Sequence, residues 1–173
     1  MPSSYQAPSR KDKIQEKTHS QTPVTNASAE TATVGKILES KGKDVFSLRP
    51  QNTLHEAVVQ LKEKRIGALI VKDAAGKLQG ILSERDIVRR LAETPGQTLS
   101  QKVEDIMTRD VKTCSPEDRL ISVLQTMTKG KFRHMPVVNG DIVVGIVTIG
   151  DVVNYRLKEL EYESLQLKQL IVG

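Results

Sequence analysis

Large apolar residues begin to recur in an ordered pattern at Val34, and from there the pattern runs twice. In the first pass Val34-Gly35-Lys36-Ile37-Leu38 reads as a short helical lead-in, and Val45-Phe46-Ser47-Leu48-Arg49-Pro50 as a strand entering a turn. Leu54, Val58 and Leu61 then fall at helical spacing. Ala68 to Val71 and Leu78 to Leu82 form two strands around Asp73-Ala74-Ala75-Gly76, and a closing helix starts at Ser83 and ends near Ala92. In the second pass Val103-Glu104-Asp105-Ile106-Met107 leads in and Val111-Lys112-Thr113-Cys114-Ser115-Pro116 is the strand. Leu120, Leu124 and Met127 mark the helix. Its start is predicted at Ser115-Pro116-Glu117-Asp118, with a capping serine, proline at the first helical position and acids in the first turn. Met135 to Val138 and Ile142 to Val147 flank Asn139-Gly140-Asp141, a strong hairpin signal, before a closing helix at Thr148.

Each pass is therefore β-α-β-β-α, an α/β (α+β) fold class, with residues 34–95 and 96–157 as the two repeats and 93–101, holding Pro95 and Gly96, as the linker. One such unit has a marginal core by itself. Two of them packed sheet to sheet bury each other's apolar faces, so the expectation is one pseudo-two-fold module. Residues 1–33 are rich in Ser, Thr, Gln and Ala and are expected to be a disordered tail. The last helix outruns its counterpart. Val153, Leu157, Leu160, Ser164, Leu167 and Ile171 follow a 4-3-4-3-4 spacing, a narrow apolar seam. The 158–173 extension is expected to dimerise, with a second copy of the chain on that seam.

The repeat also carries the candidate chemistry. Gly80-Ile81-Leu82-Ser83-Glu84-Arg85-Asp86 returns 65 residues later as Gly145-Ile146-Val147-Thr148-Ile149-Gly150-Asp151. Each copy runs a strand into a hydroxyl residue with an aspartate three positions on, at the first turn of a helix. Hydroxyl-x-x-acid is close to a capping box and needs no ligand for that role. The same geometry lets the hydroxyl and free N–H groups meet a phosphate while the carboxylate accepts from two ribose hydroxyls. The two roles are compatible. Arg133-His134-Met135-Pro136 opens a strand of the second repeat and is matched by Ile66-Gly67-Ala68-Leu69 in the first. Arg133 suits bidentate pairing with phosphate, and Met135 and Pro136 suit an apolar wall for a flat base; an exposed arginine at a strand end is the plain alternative. Arg85 opposes the helix dipole, which either a phosphate partner or a solvated charge explains.

Composition narrows the classes. Aromatic residues are 3% and Trp is absent, which disfavours stacking platforms for single-stranded nucleic acid. The net charge of +5 includes +1 from the first 33 residues and has no run of five basic residues, so nucleic-acid and membrane partners are disfavoured. The lone Cys114 excludes an internal disulfide framework and, with no predicted span or secretory leader, points to the cytoplasm. Cys114 itself reads as a small core or pocket-wall residue. His19, His55 and His134 are scattered without metal-ligand spacing, and His134 reads as structural rather than catalytic or metal-binding, while staying with Arg133, Met135 and Pro136 among the candidate nucleotide-site residues. No phosphate-cradling loop, nucleophile elbow or activated nucleophile is present, so no catalytic residue, metal or catalytic cofactor is expected.

Together the lead-ins, Arg133-His134-Met135-Pro136-Val137-Val138 and the two Gly-x-x-(Ser/Thr)-x-x-Asp endings resemble a cystathionine-β-synthase (CBS) domain pair, or Bateman module, over about Val34 to Leu157. The resemblance implies an adenosyl ligand between the repeats: AMP first, or ADP, ATP, NAD(H) or S-adenosylmethionine. It implies that Asp86 and Asp151 bind ribose, that Ser83, Thr148 and Arg133 bind the phosphate side, and that Ser47, Thr113, Gly67, Ala68 and Met135 line the base pocket. Repeat one carries Ile66 where the family often places arginine, so its site would borrow Arg133 or Arg85, and the ligand is expected first at Thr148 and Asp151. It further implies a stand-alone, homodimeric regulator of a partner protein. The competing class is a protein- or nucleic-acid-interaction adaptor whose paired motifs are caps alone.

Overall fold

The computed structural model describes residues 32–42 and 44–172. Helix α1 (Val34–Lys41) leads in to strand β1 (Ser47–Leu48), α2 (Leu54–Lys64), β2 (Ala68–Lys72), β3 (Leu78–Ser83) and α3 (Glu84–Glu93). Two 3₁₀ turns, Thr98–Ser100 and Val103–Asp105, precede α4 (Leu120–Gly130), β4 (His134–Asn139), β5 (Ile142–Thr148) and α5 (Ile149–Val172). Strand β1 is parallel to β2, which is antiparallel to β3. Strands β4 and β5 are antiparallel, and a parallel bridge from Cys114 to Val137 stands where β1 stands in the first sheet. Repeat one is thus the expected β-α-β-β-α unit, while in repeat two the strand expected over 111–116 is reduced to the single bridge at Cys114.

The apolar faces of the two units are completed by exchange. The core of repeat two consists of Leu120, Val123, Met127, Met135, Val137 and Val147 together with Val34, Ile37 and Leu38 from the lead-in of repeat one. Conversely Val103 and Met107, the lead-in of repeat two, are buried with Leu54, Leu61, Leu69, Val71 and Leu82 of repeat one. The backbone repeats the exchange. Val34 N–H donates to Asp118 O at 3.0 Å, Gly35 N–H to Pro116 O at 2.8 Å, and Leu120 N–H to Ala32 O at 3.0 Å. In the other half Val103 donates to Asn52 O at 2.8 Å, Glu104 to Pro50 O at 3.0 Å, and Leu54 to Gln101 O at 2.9 Å.

This exchange explains where the sequence reading went astray. Pro116 and Asp118 turn their carbonyls toward α1, so residues 116–118 form a turn and α4 begins at Leu120 instead of at Ser115-Pro116. Asp118 Oδ2 accepts from Ser115 N–H at 2.8 Å within that turn. Most of the expected tail, residues 1–31, lies outside the described residues. Its last two residues are built into repeat two: Ala32 is 2% exposed and Thr33 bridges to Arg119. The 93–101 linker is also anchored, since the buried Thr98 donates to Thr94 O at 2.7 Å. On α5, Val152 is buried, while Val153, Leu157, Leu160, Leu167 and Ile171 of the seam are exposed.

Glycine in the doubled phrase has a packing reason. A Cβ on Gly80 would stand 2.8 Å from Met107 Sδ and from Thr108 O; one on Gly145 would stand 2.6 Å from a Leu38 methyl. Each glycine is the floor on which the other repeat's lead-in rests. Gly80→Ala is expected to destabilise by about 1–3 kcal/mol, because a backbone carbonyl cannot rotate away. Gly145→Ala should cost less, since the Leu38 methyls can turn. Urea denaturation of the two variants checks the order, and equal costs would contradict it.

Candidate functional site

Both hydroxyl-x-x-Asp phrases form closed capping boxes. Ser83 caps α3: Asp86 Oδ2 accepts from Ser83 N at 2.9 Å and from its hydroxyl at 2.6 Å, and Asp86 N–H points to Ser83 Oγ at 3.4 Å. Thr148 stands in the same relation to Asp151, with Oδ2 accepting from Thr148 N and Oγ1, each at 2.8 Å. The next N–H in each copy is also committed, Glu84 to Gly67 O and Ile149 to Arg133 O, both at 3.1 Å. Four donors in each copy, the hydroxyl and three backbone N–H groups, are therefore spent inside the fold.

Those last two bonds also set the true correspondence of the repeats. With Ala68 paired to Ser83 and His134 to Thr148, Arg133 is the counterpart of Gly67, one residue along from the Ile66 match read from sequence. Ile66 corresponds instead to Phe132, each following a left-handed residue (Arg65 φ 53°, Lys131 φ 56°) that ends a helix. A Cβ at Gly67 would lie 3.1 Å from the His134 ring, which would have to give by a few tenths of an ångström.

The two motifs are not equivalent. Asp151 Oδ2 receives Lys41 Nζ at 2.7 Å, and the same amine reaches Ile146 O at 3.3 Å. The lead-in helix of repeat one thus lays a cation on the aspartate of repeat two. Lys41 lies three residues past Leu38; three past Met107 stands Asp110, which offers Asp86 no such partner. Around Ser83 and Asp86 the structure opens a cleft of about 970 Å³. Its walls are Gly67 and Ile81, the first turns of α3, the 108–112 stretch, and the run from Lys129 to His134 of repeat two. Arg85 ties the walls together, donating from Nη1 to Lys131 O at 2.8 Å.

Of the expected site residues, Ser83, Arg85, Asp86, Gly67, Arg133 and His134 meet in this cleft. Thr148 and Asp151 lie outside it, beside Lys41. Met135 is 1% exposed within the repeat-two core, so it is no wall for a base: on a strand, Met135 and Val137 point one way and His134 and Pro136 the other. Ala68 is likewise buried, Pro136 is buried, and Ile66 packs on the repeat-one core. Ser47 and Thr113 are exposed and do not line the cleft. The sequence reading missed Arg89, Lys129, Lys131 and Lys41; Lys129-Gly130-Lys131 at a helix end was the available signal. Burial pushes the Cys114 thiol up to about 12, so it stays protonated in its core position. Among the described residues no cluster of His, Cys, Asp and Glu could hold a metal ion.

The CBS domain family model matches residues 34–93 and 103–158, and the chain belongs to that family as a CBS domain pair. A mitochondrial CBS domain-containing protein of Arabidopsis thaliana, CBSX3, is 33% identical over 152 residues, covering 83% of this chain and 74% of that protein. A 33.4 kDa protein from a ribosomal RNA operon of Thermofilum pendens is 35% identical over 131 residues, 73% of this chain but 43% of its own length. Among solved structures, the CBS-domain protein ATU1752 of Agrobacterium tumefaciens superposes with a TM-score of 0.71 at 37% identity, covering 73% of this chain and 94% of that one. The CBS domain pair of MJ0100, solved with 5′-methylthioadenosine and S-adenosyl-L-methionine, superposes at 0.67 and 30% identity over 75% and 98% of the two chains. No helix among the described residues is long and apolar enough to cross a membrane.

His134 sits between the two motifs. Burial lowers its pKa below the ordinary 6.5; Glu84 and Asp151 pull it up, while Lys41 and Arg133 push it down. Below that ordinary value the unfolded chain takes up the proton more readily than the folded one, so this residue removes stability as pH falls below about 6.5. Urea midpoints at pH 8 and pH 5 should therefore drop less for His134→Gln than for the parent protein. Parallel drops would contradict the assignment.

Proposed function

We propose that this chain is a non-catalytic regulatory module that binds an adenine nucleotide between its CBS repeats and thereby modulates a partner protein. The observation that carries the reading is the composite cleft, in which Ser83 and Asp86 of repeat one face Arg133 and His134 of repeat two. Asp86 Oδ1 has no partner among the described residues and is free to accept from ribose hydroxyls. The 5′-methylthioadenosine and S-adenosyl-L-methionine of the MJ0100 neighbour support the adenosyl part of this reading. Asp151 carries Lys41 on its Oδ2, whereas Asp86 carries no cation among the described residues and lines the composite cleft, so the first site to fill is the one at Asp86, reversing the order expected from sequence. A second copy of the chain covers the α5 seam, which continues an apolar hollow of about 500 Å³ lined by Leu120, Leu124, Val152 and Leu157.

Titration calorimetry with AMP, ATP, NADH and S-adenosylmethionine tests the ligand. Asp86→Ala should weaken binding about ten- to a hundredfold, the scale of a lost hydrogen bond to a charged group, and Asp151→Ala should change it little. Binding of none of the four compounds sinks the proposal. Light scattering should give the mass of two chains, and a monomer at micromolar concentration would remove the dimer from it.

A further inference from the structure

The capping boxes leave a physical problem. If the nucleotide's phosphates cannot use Ser83 N, Glu84 N or Asp86 N, which all hold internal partners, another set of donors must receive them. Repeat two supplies that set. Lys129, Lys131 and Arg133 crowd the end of α4 and the start of β4, and Arg89 joins them from α3 across the cleft. None of these four cations has an acidic partner within 4 Å among the described residues. The C-terminal dipole of α4 offsets only about half a charge, and Arg85 already uses the Lys131 carbonyl. The carboxylates in the cleft are Glu84, Asp86 and Asp110, of which Asp110 pairs with Lys112 at 3.4 Å. The repeat-two wall is therefore an uncompensated cation cluster facing the aspartate that would hold a ribose.

We infer that this wall is a phosphate-chain site, and that the cleft prefers an adenosine di- or triphosphate to AMP and rejects S-adenosylmethionine. This rests on the ribose-binding reading of Asp86 and extends it. An extended polyanion neutralises several mutually repelling cations at once, whereas a single phosphate reaches fewer of them. The sulfonium of S-adenosylmethionine would bring a further positive charge to the same wall.

Calorimetry on the full chain with ATP, AMP, S-adenosylmethionine and inorganic tripolyphosphate decides the matter, alongside the double variant Lys129→Gln/Arg133→Gln. ATP should bind about tenfold or more tightly than AMP, the sum of two or so exposed charge pairs, with the gap closing as salt is added. The double variant should bring ATP to the level of AMP. Both replaced side chains are exposed, and its melting temperature should be unchanged or raised because two repelling charges have gone. ATP no tighter than AMP, S-adenosylmethionine as tight as ATP, or an ATP affinity insensitive to the double variant each overturns the inference. Tripolyphosphate binding that the double variant abolishes, without binding of any adenosyl compound, keeps the phosphate wall and overturns the nucleoside reading. Binding of nothing overturns both.

Discussion

Leu38 against Gly145 and Met107 against Gly80 are the contacts on which the rest of this molecule depends. A β-α-β-β-α unit of this size has too little apolar area to close a core alone. Here each unit is closed by the lead-in of the other, held by three backbone hydrogen bonds at repeat two and five at repeat one. The two repeats are consequently tied to each other by buried side chains, and a cleft lined by both lies between them. The glycine of the doubled phrase serves this packing first.

The same exchange makes the two halves chemically different. The lead-in that enters repeat two is a helix and carries Lys41 to Asp151; the one that enters repeat one passes Thr108 along β3, with Ile81 and Thr108 exchanging backbone bonds of 2.9 and 3.0 Å. One aspartate therefore carries a lysine on its capping oxygen and the other lines a cleft. Pseudo-symmetry supplies two motifs, and the residues that cross between repeats give them different surroundings.

What could be read from sequence was local. Strand alternation, the Asn139-Gly140 hairpin and the hydroxyl-x-x-Asp caps each depend on neighbours a few residues away, and each is in place. The helix start at Ser115-Pro116 was misplaced because a distant segment, α1, claims the carbonyls that follow. The pairing of Arg133 with Ile66 slipped by one residue because the left-handed ends of α2 and α4 leave no mark in the apolar pattern. Met135 looked like a pocket wall until its strand register turned it into the core. The cation wall was out of reach for the same reason: Lys129 and Arg133 meet Asp86 through tertiary packing, over about 45 residues of chain.

Amide hydrogen exchange of a Leu38→Ala variant tests the exchanged core most directly. Removing this side chain should cost about 2–5 kcal/mol and leave a cavity beneath β5. If each lead-in belongs to the opposite core, protection should fall most at Met135–Val138 and Val143–Val147 of repeat two, more than 90 residues away in sequence. Loss confined to β2 and β3 of repeat one, with β4 and β5 unchanged, would contradict the account.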